Sequence, residues 1–219
     1  MRLRISYNAP VVLTFALLAV GVFILGGAGA EGFVGRWFVA KPWLHGPSDY
    51  VGLVSHILGH KDWNHLLSNF MLILLLGPLL EERFGSGKLL VMILVTALVT
   101  GLLNVAIADT GLLGASGIVF MMILLASTAN IRQGEIPLTF LAVSAIYLGG
   151  EIARALDNDQ VSQMAHLIGG CVGAVFGFLA AKGKSLPMAL PGATPAASAA
   201  SVAPAASIKE LGAGRSKVR

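Results

Sequence analysis

The chain has 219 residues, of which 56% are hydrophobic and 12% charged, with a net charge of +4 and a mean hydropathy of +0.81. Soluble domains carry about 25% charged residues, so a soluble globular class is excluded. The cations show no interleaving with aromatics of the kind that binds nucleic acid, which removes that partner.

Uncharged runs occupy Ala9–Ala30, Trp63–Leu80, Leu89–Ala108, Thr110–Ile131, Ile136–Gly150 and Gln160–Ala181. A helix needs about 20 apolar residues to cross a bilayer core. Continuous apolar runs exclude a barrel, which alternates. The expectation is an all-α polytopic membrane protein with six transmembrane helices over 9–30, 63–80, 89–108, 112–131, 136–156 and 160–181. The fifth reaches span length only by including Glu151 and Arg154, which stand at i,i+3 and can pair. A long outer loop, 31–62, carries Trp37, Phe38, Trp43 and Tyr50, residues suited to the membrane interface as surface-lying segments.

Arg2 and Arg4 precede the first span, Arg83 and Lys88 fall between the second and third, and Arg132 follows the fourth. Lys182 and Lys184 follow the sixth. On the other side Arg36, Lys41, Lys61 and Arg154 are diluted and mixed with acids. The positive-inside rule therefore puts both termini in the cytoplasm; the expected location of this multi-pass protein is a bacterial inner membrane. The first run, ending Ala28-Gly29-Ala30, imitates a signal peptide. At 22 residues it is longer than a signal core and reads as a retained helix. The organisation is thus a cytoplasmic N-terminus (1–8), a six-helix membrane domain (9–184), and an Ala/Pro/Ser-rich tail (185–219) expected to be disordered and cytoplasmic. A single cysteine, Cys171, allows no internal disulfide and sits among glycines as a small packing residue.

Polar groups inside apolar runs are costly and mark functional sites. Ser116 lies in Gly114-Ala115-Ser116-Gly117, and His166 follows Ala165. With the expected topology, helices 2, 4 and 6 all start from the outer face. Ser116, His166 and the i,i+4 pair His65 and Asn69 then meet in one outward-opening pocket, about 5–10 Å below the helix starts. Imidazole can take the hydroxyl proton of a serine near neutral pH. The side chains of His65 and Asn69, with the Ser116 backbone N–H at a helix start, can stabilise an oxyanion. Gly114 and Gly117 permit tight turning and close approach. No acid is placed to orient His166, so the arrangement is a dyad. Gly169, Gly173 and Gly177 form a four-residue ladder for close helix packing.

Other classes fit less well. His56, His60 and His65 raise a metalloenzyme, yet the chain has no His-Glu-x-x-His, and no metal or organic cofactor is expected. Asp109-Thr110-Gly111 imitates an aspartic-protease signature but lacks a partner carboxylate. His56 and His60 read as loop-structuring or interface residues.

Gly114-Ala115-Ser116-Gly117, Ala165-His166-Leu167-Ile168-Gly169 with Gly173, the His56–His60 segment with His65 and Asn69, and Glu81-Glu82-Arg83-Phe84-Gly85-Ser86-Gly87 together resemble the rhomboid family of intramembrane serine proteases. The resemblance covers about Ser55 to Lys182. It implies a rhomboid-like bundle in which Ser116 is the nucleophile, His166 the base, and His65 and Asn69 the oxyanion donors. The implied reaction is hydrolysis of a peptide bond in or beside a transmembrane segment of another membrane protein within the lipid bilayer. Helix 5 and a neighbouring loop would gate substrate entry. A branch trimming C-terminal sorting tails is a variant of the same reading. The rival from another class is a catalytically silent relative that binds membrane proteins in quality control. Two departures stand out. Val51-Gly52-Leu53-Val54 replaces the family's Trp-Arg pair before His56, and Phe120 stands where a tyrosine often packs on the base.

Overall fold

The computed structural model describes residues 7–26, 32–128 and 160–182, together with isolated positions between 138 and 149. The fifth expected span, with Glu151 and Arg154, the Ala28-Gly29-Ala30 segment, Arg132 and the tail fall wholly or largely outside these. The described residues form helices α1 (Pro10–Gly26), α2 (Gly32–Trp37), α3 (Pro47–Ser55), α4 (Trp63–Phe84), α5 (Ser86–Ile107), α6 (Ser116–Thr128) and α7 (Gln160–Lys182). A 3₁₀ turn, His56–Leu58, follows α3. No strand occurs among them, only an isolated antiparallel bridge between Ala40 and Leu112.

α4 and α5 are long and apolar enough to cross a membrane; Pro10–Gly26, Ser116–Thr128 and Met164–Ala180 are shorter apolar helices. The burial pattern separates their roles. On α4, Leu67, Met71, Leu75 and Leu79 are exposed while Leu66, Phe70 and Ile73 are buried. The exposed set recurs every four residues, so one stripe of large apolar side chains faces outward, as lipid demands. α6 is different, being buried at every position from Gly117 to Leu125. An apolar helix enclosed on all sides belongs at the centre of a bundle.

Small residues set how closely the helices approach. A Cβ on Gly77 of α4 would meet Val12 of α1 at 2.7 Å, and Phe15 packs edge-on to Phe70 at 5.1 Å beside it. The glycine ladder of α7 faces α6: a Cβ on Gly169 would strike the Gly117 carbonyl, one on Gly173 the Met121 carbonyl, and one on Gly177 the Thr128 hydroxyl. Any larger residue there pushes α7 away, and with it His166.

Several boundaries differ from the sequence expectation for physical reasons. α4 runs on to Phe84, so Glu81-Glu82-Arg83-Phe84 is its last turn; Gly85, at φ +82°, then makes a one-residue corner into α5. Glu81 holds that corner. Its carboxylate accepts the N–H groups of Val11 and Val12, both at 3.0 Å, and the Ser86 hydroxyl at 2.7 Å. The start of α1 presents unpaired donors and a partial positive charge, which a carboxylate from another helix satisfies here.

α6 starts at Ser116, whereas the fourth span was expected from 112. Leu112 is drawn out of helical geometry by two bonds with Ala40, N–H to carbonyl in each direction at 2.9 Å. Gly114 has φ +120°, a conformation L side chains rarely adopt. Ser116 is therefore the first residue of its helix rather than a turn or two inside it.

From residue 32 to 62 the loop carries α2, α3 and the 3₁₀ turn. Asp49, the third residue of α3, reaches back to the N–H groups of His45 and Gly46 at 3.0 Å and accepts Lys41 Nζ at 2.8 Å. The Lys41 hydrogen bond and these backbone donors hold the Asp49 carboxyl at about 2, below its ordinary 3.8.

Candidate active site

The loop and α5 build the support beneath Ser116. Thr96, Thr100 and Asn104 recur every four residues on α5, all buried. Asn104 Nδ2 donates to the carbonyls of Ala40 (2.9 Å) and Thr110 (3.0 Å), clamping the loop to the segment that leads into α6. His56 is 2% exposed. Its Nδ1 lies 3.2 Å from the Gly52 carbonyl and its Nε2 3.3 Å from Thr100 Oγ1. Gly52 O accepts only, so Nδ1 carries the proton, while Nε2 faces Thr100 Oγ1, which also lies 2.9 Å from the Thr96 carbonyl and 3.0 Å from that of Ala97. The backbone carbonyl of His56 accepts the Gly114 N–H at 2.9 Å. One buried histidine thus ties α3, α5 and the turn before Ser116 together.

Asp62 opens α4 as its N-cap, accepting the His65 N–H at 2.8 Å. That sets the first turn of α4 and the positions of His65 and Asn69. His65, Asn69, Ser116 and His166 then line a single cavity of about 690 Å³, with Lys61, Asp62 and Leu112 at its walls. All four side chains singled out in the sequence are therefore brought to one place. The imidazole of His166 stacks on Phe120, ring centroids 4.5 Å apart and planes 5° from parallel.

Gly114 sits directly against two of these side chains. A Cβ there would lie 2.6 Å from Nε2 and Cε1 of His65 and 3.8 Å from Nδ2 of Asn69. The missing side chain leaves a small space bordered by an imidazole edge and an amide nitrogen. Nδ1 of His65 is buried with no hydrogen-bond partner among the described residues. Such a group costs about 1–3 kcal/mol when left unpaired.

A family model described as the Rhomboid domain matches residues 47–183. The chain belongs to the rhomboid family. Among similar proteins, the rhomboid protease GlpG of Yersinia enterocolitica is 28% identical over 182 residues, covering 79% of this chain and 63% of that protein. The rhomboid protease GlpG of Haemophilus influenzae is 26% identical over 132 residues, covering 59% of this chain and 69% of that one. The chain thus spans about three-fifths of the length of its Yersinia relative. Membership makes it an integral membrane protein with a rhomboid domain, and its described elements are helical.

Within that rhomboid domain the two departures find structural answers. The loop that lacks the Trp-Arg pair is anchored by Asp49 with Lys41 and by Asn104 on Ala40. Phe120 supplies the stacked ring without a hydroxyl. Sequence reasoning took Glu81 only as part of a motif and passed over Thr96, Thr100 and Asn104 as parts of the support. The buried polar residues at i, i+4 and i+8 in an otherwise apolar run were the available signal.

Proposed function

We propose that this rhomboid protein is an intramembrane serine endopeptidase that cleaves transmembrane proteins in or beside their membrane segments. The observation that carries the reading is the shared cavity: Ser116, His166, His65 and Asn69 all line it. The protease names of the relatives support the same class.

In the proposed reaction His166 takes the proton of Ser116 Oγ as that oxygen attacks the scissile carbonyl. The carbonyl oxygen becomes anionic in the space beside Gly114. Side-chain N–H groups of His65 and Asn69 and the Ser116 backbone N–H donate to it. At a helix start the first N–H groups have no intrahelical acceptor, so the Ser116 N–H is available for this. Collapse of the intermediate breaks the C–N bond, and His166 returns its proton to the leaving amine. Water, deprotonated by His166, then hydrolyses the ester on Ser116 and restores the hydroxyl. A preorganised donor of this kind contributes about 10²–10³ in rate. Gly117, Gly169 and Gly173 act by keeping α6 and α7 close enough for the dyad.

The substrate backbone must be extended or readily unwound at the cleavage point, because a helix hides its carbonyls. Six transmembrane helices with both termini cytoplasmic and a cavity opening outward complete the proposal, with helix 5 as entry gate and residues 185–219 as a cytoplasmic tail. The test is cleavage of a model transmembrane substrate by purified wild type, Ser116→Ala and His166→Ala. Cleavage by wild type alone is expected. Persistence in Ser116→Ala overturns the serine mechanism, and folded wild type that cleaves nothing favours a silent binding module.

A further inference from the structure

His60 stands outside the four residues of the proposed mechanism, yet it touches two of them. It lies in the short link between the 3₁₀ turn and α4 and is 1% exposed. Its Nδ1 is 3.3 Å from the Leu58 carbonyl, and its Nε2 is 3.2 Å from Asn69 Nδ2. The ring also meets His65 edge-on, with centroids 5.0 Å apart, and leans on Phe70 at 5.7 Å. The backbone just before it is pinned, since a Cβ on Gly59 would strike the Phe38 carbonyl.

These contacts fix a proton and, through it, an amide. The Leu58 carbonyl only accepts, so Nδ1 must carry hydrogen. In the neutral ring Nε2 is then a lone pair. Burial and the neighbouring His65 hold the His60 imidazole down at about 4, with the Leu58 carbonyl and Asp62 acting against them, so the neutral form prevails near pH 7. An Nε2 lone pair accepts from the Asn69 NH₂ and repels its carbonyl oxygen. The amide therefore has one stable orientation, with Nδ2 towards His60. The second hydrogen on that same nitrogen remains, and Nδ2 is the Asn69 atom beside the vacant Cβ position of Gly114.

We infer that His60 is a positioning residue that orients the Asn69 amide so that its nitrogen, not its oxygen, faces the developing oxyanion. The inference rests on the oxyanion role proposed above for Asn69. His60 touches no substrate atom; it decides which end of a neighbouring amide does. Without it the amide can turn over and present an oxygen to negative charge, which would slow the chemical step and leave substrate docking intact.

The experiment measures kcat and KM on a model transmembrane substrate, with thermal unfolding in the same detergent. The full chain is used as wild type, His60→Phe, His60→Gln, Asn69→Ala and the double variant His60→Phe/Asn69→Ala. The expected result is a kcat loss of roughly 10-fold or more for His60→Phe, with KM within about twofold. In the double variant no further loss beyond Asn69→Ala is expected, because both changes remove one interaction. His60→Gln can place an amide oxygen as acceptor and is expected to recover part of kcat. If His60→Phe does not fold, the Gln variant carries the comparison, its kcat exceeding that of Asn69→Ala. Losses that multiply in the double variant, a kcat for His60→Phe equal to wild type, or a kcat for His60→Gln no higher than that of Asn69→Ala, overturn the inference. Wild type that cleaves while Asn69→Ala loses nothing overturns the oxyanion role instead.

Discussion

The ring of Phe120 lies flat against the imidazole of His166, with centroids 4.5 Å apart. Phe120 is one helical turn beyond Ser116 on α6, so the nucleophile and the support of its base share a helix face. Stacked aromatic contacts contribute about 0.5–1.5 kcal/mol beyond their burial. Phe120→Ala is therefore expected to lower kcat roughly 2- to 12-fold, and Phe120→Tyr to stay close to wild type. Kinetics on a model transmembrane substrate decide this; an unchanged Ala variant would show that the stack does not orient His166.

Gly114 gives a sharper case. Its φ of +120° disfavours any side chain, and an added methyl would press on His65 at 2.6 Å. Gly114→Ala is expected to cut kcat/KM about 10²-fold or more, comparable with losing an oxyanion donor. The positive φ also strains the Ala backbone, so the unfolding temperature should fall as well, and activity is compared per folded molecule. A fully active Ala variant would place the oxyanion elsewhere.

Glu81 is expected to govern stability and leave chemistry alone. Its carboxylate, 4% exposed, serves the N–H groups of Val11 and Val12. Glu81→Ala strands these donors at about 1–3 kcal/mol each, while Glu81→Gln keeps one amide oxygen for them. Thermal unfolding should rank wild type above Gln and Gln above Ala. Activity per folded molecule, titrated with a fluorophosphonate at low temperature, should be equal in all three.

The sign of the pH response follows from His56. Burial holds its imidazole at about 4, below the ordinary 6.5, and it faces the Gly52 carbonyl, Thr100 and the turn at Gly114. The unfolded chain takes up this proton first as pH falls. Its contribution to stability is complete above about pH 6.5, shrinks as pH falls towards about 4, and levels off below. His60, also held at about 4, adds to the loss over the same window. Unfolding midpoints recorded between about pH 7.5 and 4 should decline, with a shallower slope in His56→Gln. A flat wild-type profile would contradict a neutral buried pair.

How much of this was legible beforehand depended on where the interaction partners lay. Apolar run length located the cores of α1, α4, α5, α6 and α7, because burial in lipid or bundle leaves a compositional trace along the segment itself. Ser116, His166, His65 and Asn69 stood out as polar groups in apolar runs, and the structure gathers them on one cavity. The start of α6 was misplaced because Leu112 is held by Ala40, far away in the chain. Glu81 looked like part of a connecting turn because its partners at Val11 and Val12 precede it by about seventy residues. His60 looked like a loop residue because its bond to Asn69 leaves no periodic pattern. Contacts between loops and helix ends are specified by tertiary geometry, and no local period records them.

The central claim is that Ser116 is the activated nucleophile. Its most direct measurement is peptide mapping of the purified protein after labelling with a fluorophosphonate, run beside Ser116→Ala and His166→Ala. One adduct is expected, on the peptide carrying Ser116, absent from Ser116→Ala, strongly slowed in His166→Ala, and formed in step with loss of substrate cleavage. An adduct on another residue, or complete loss of cleavage with Ser116 unmodified, would contradict it.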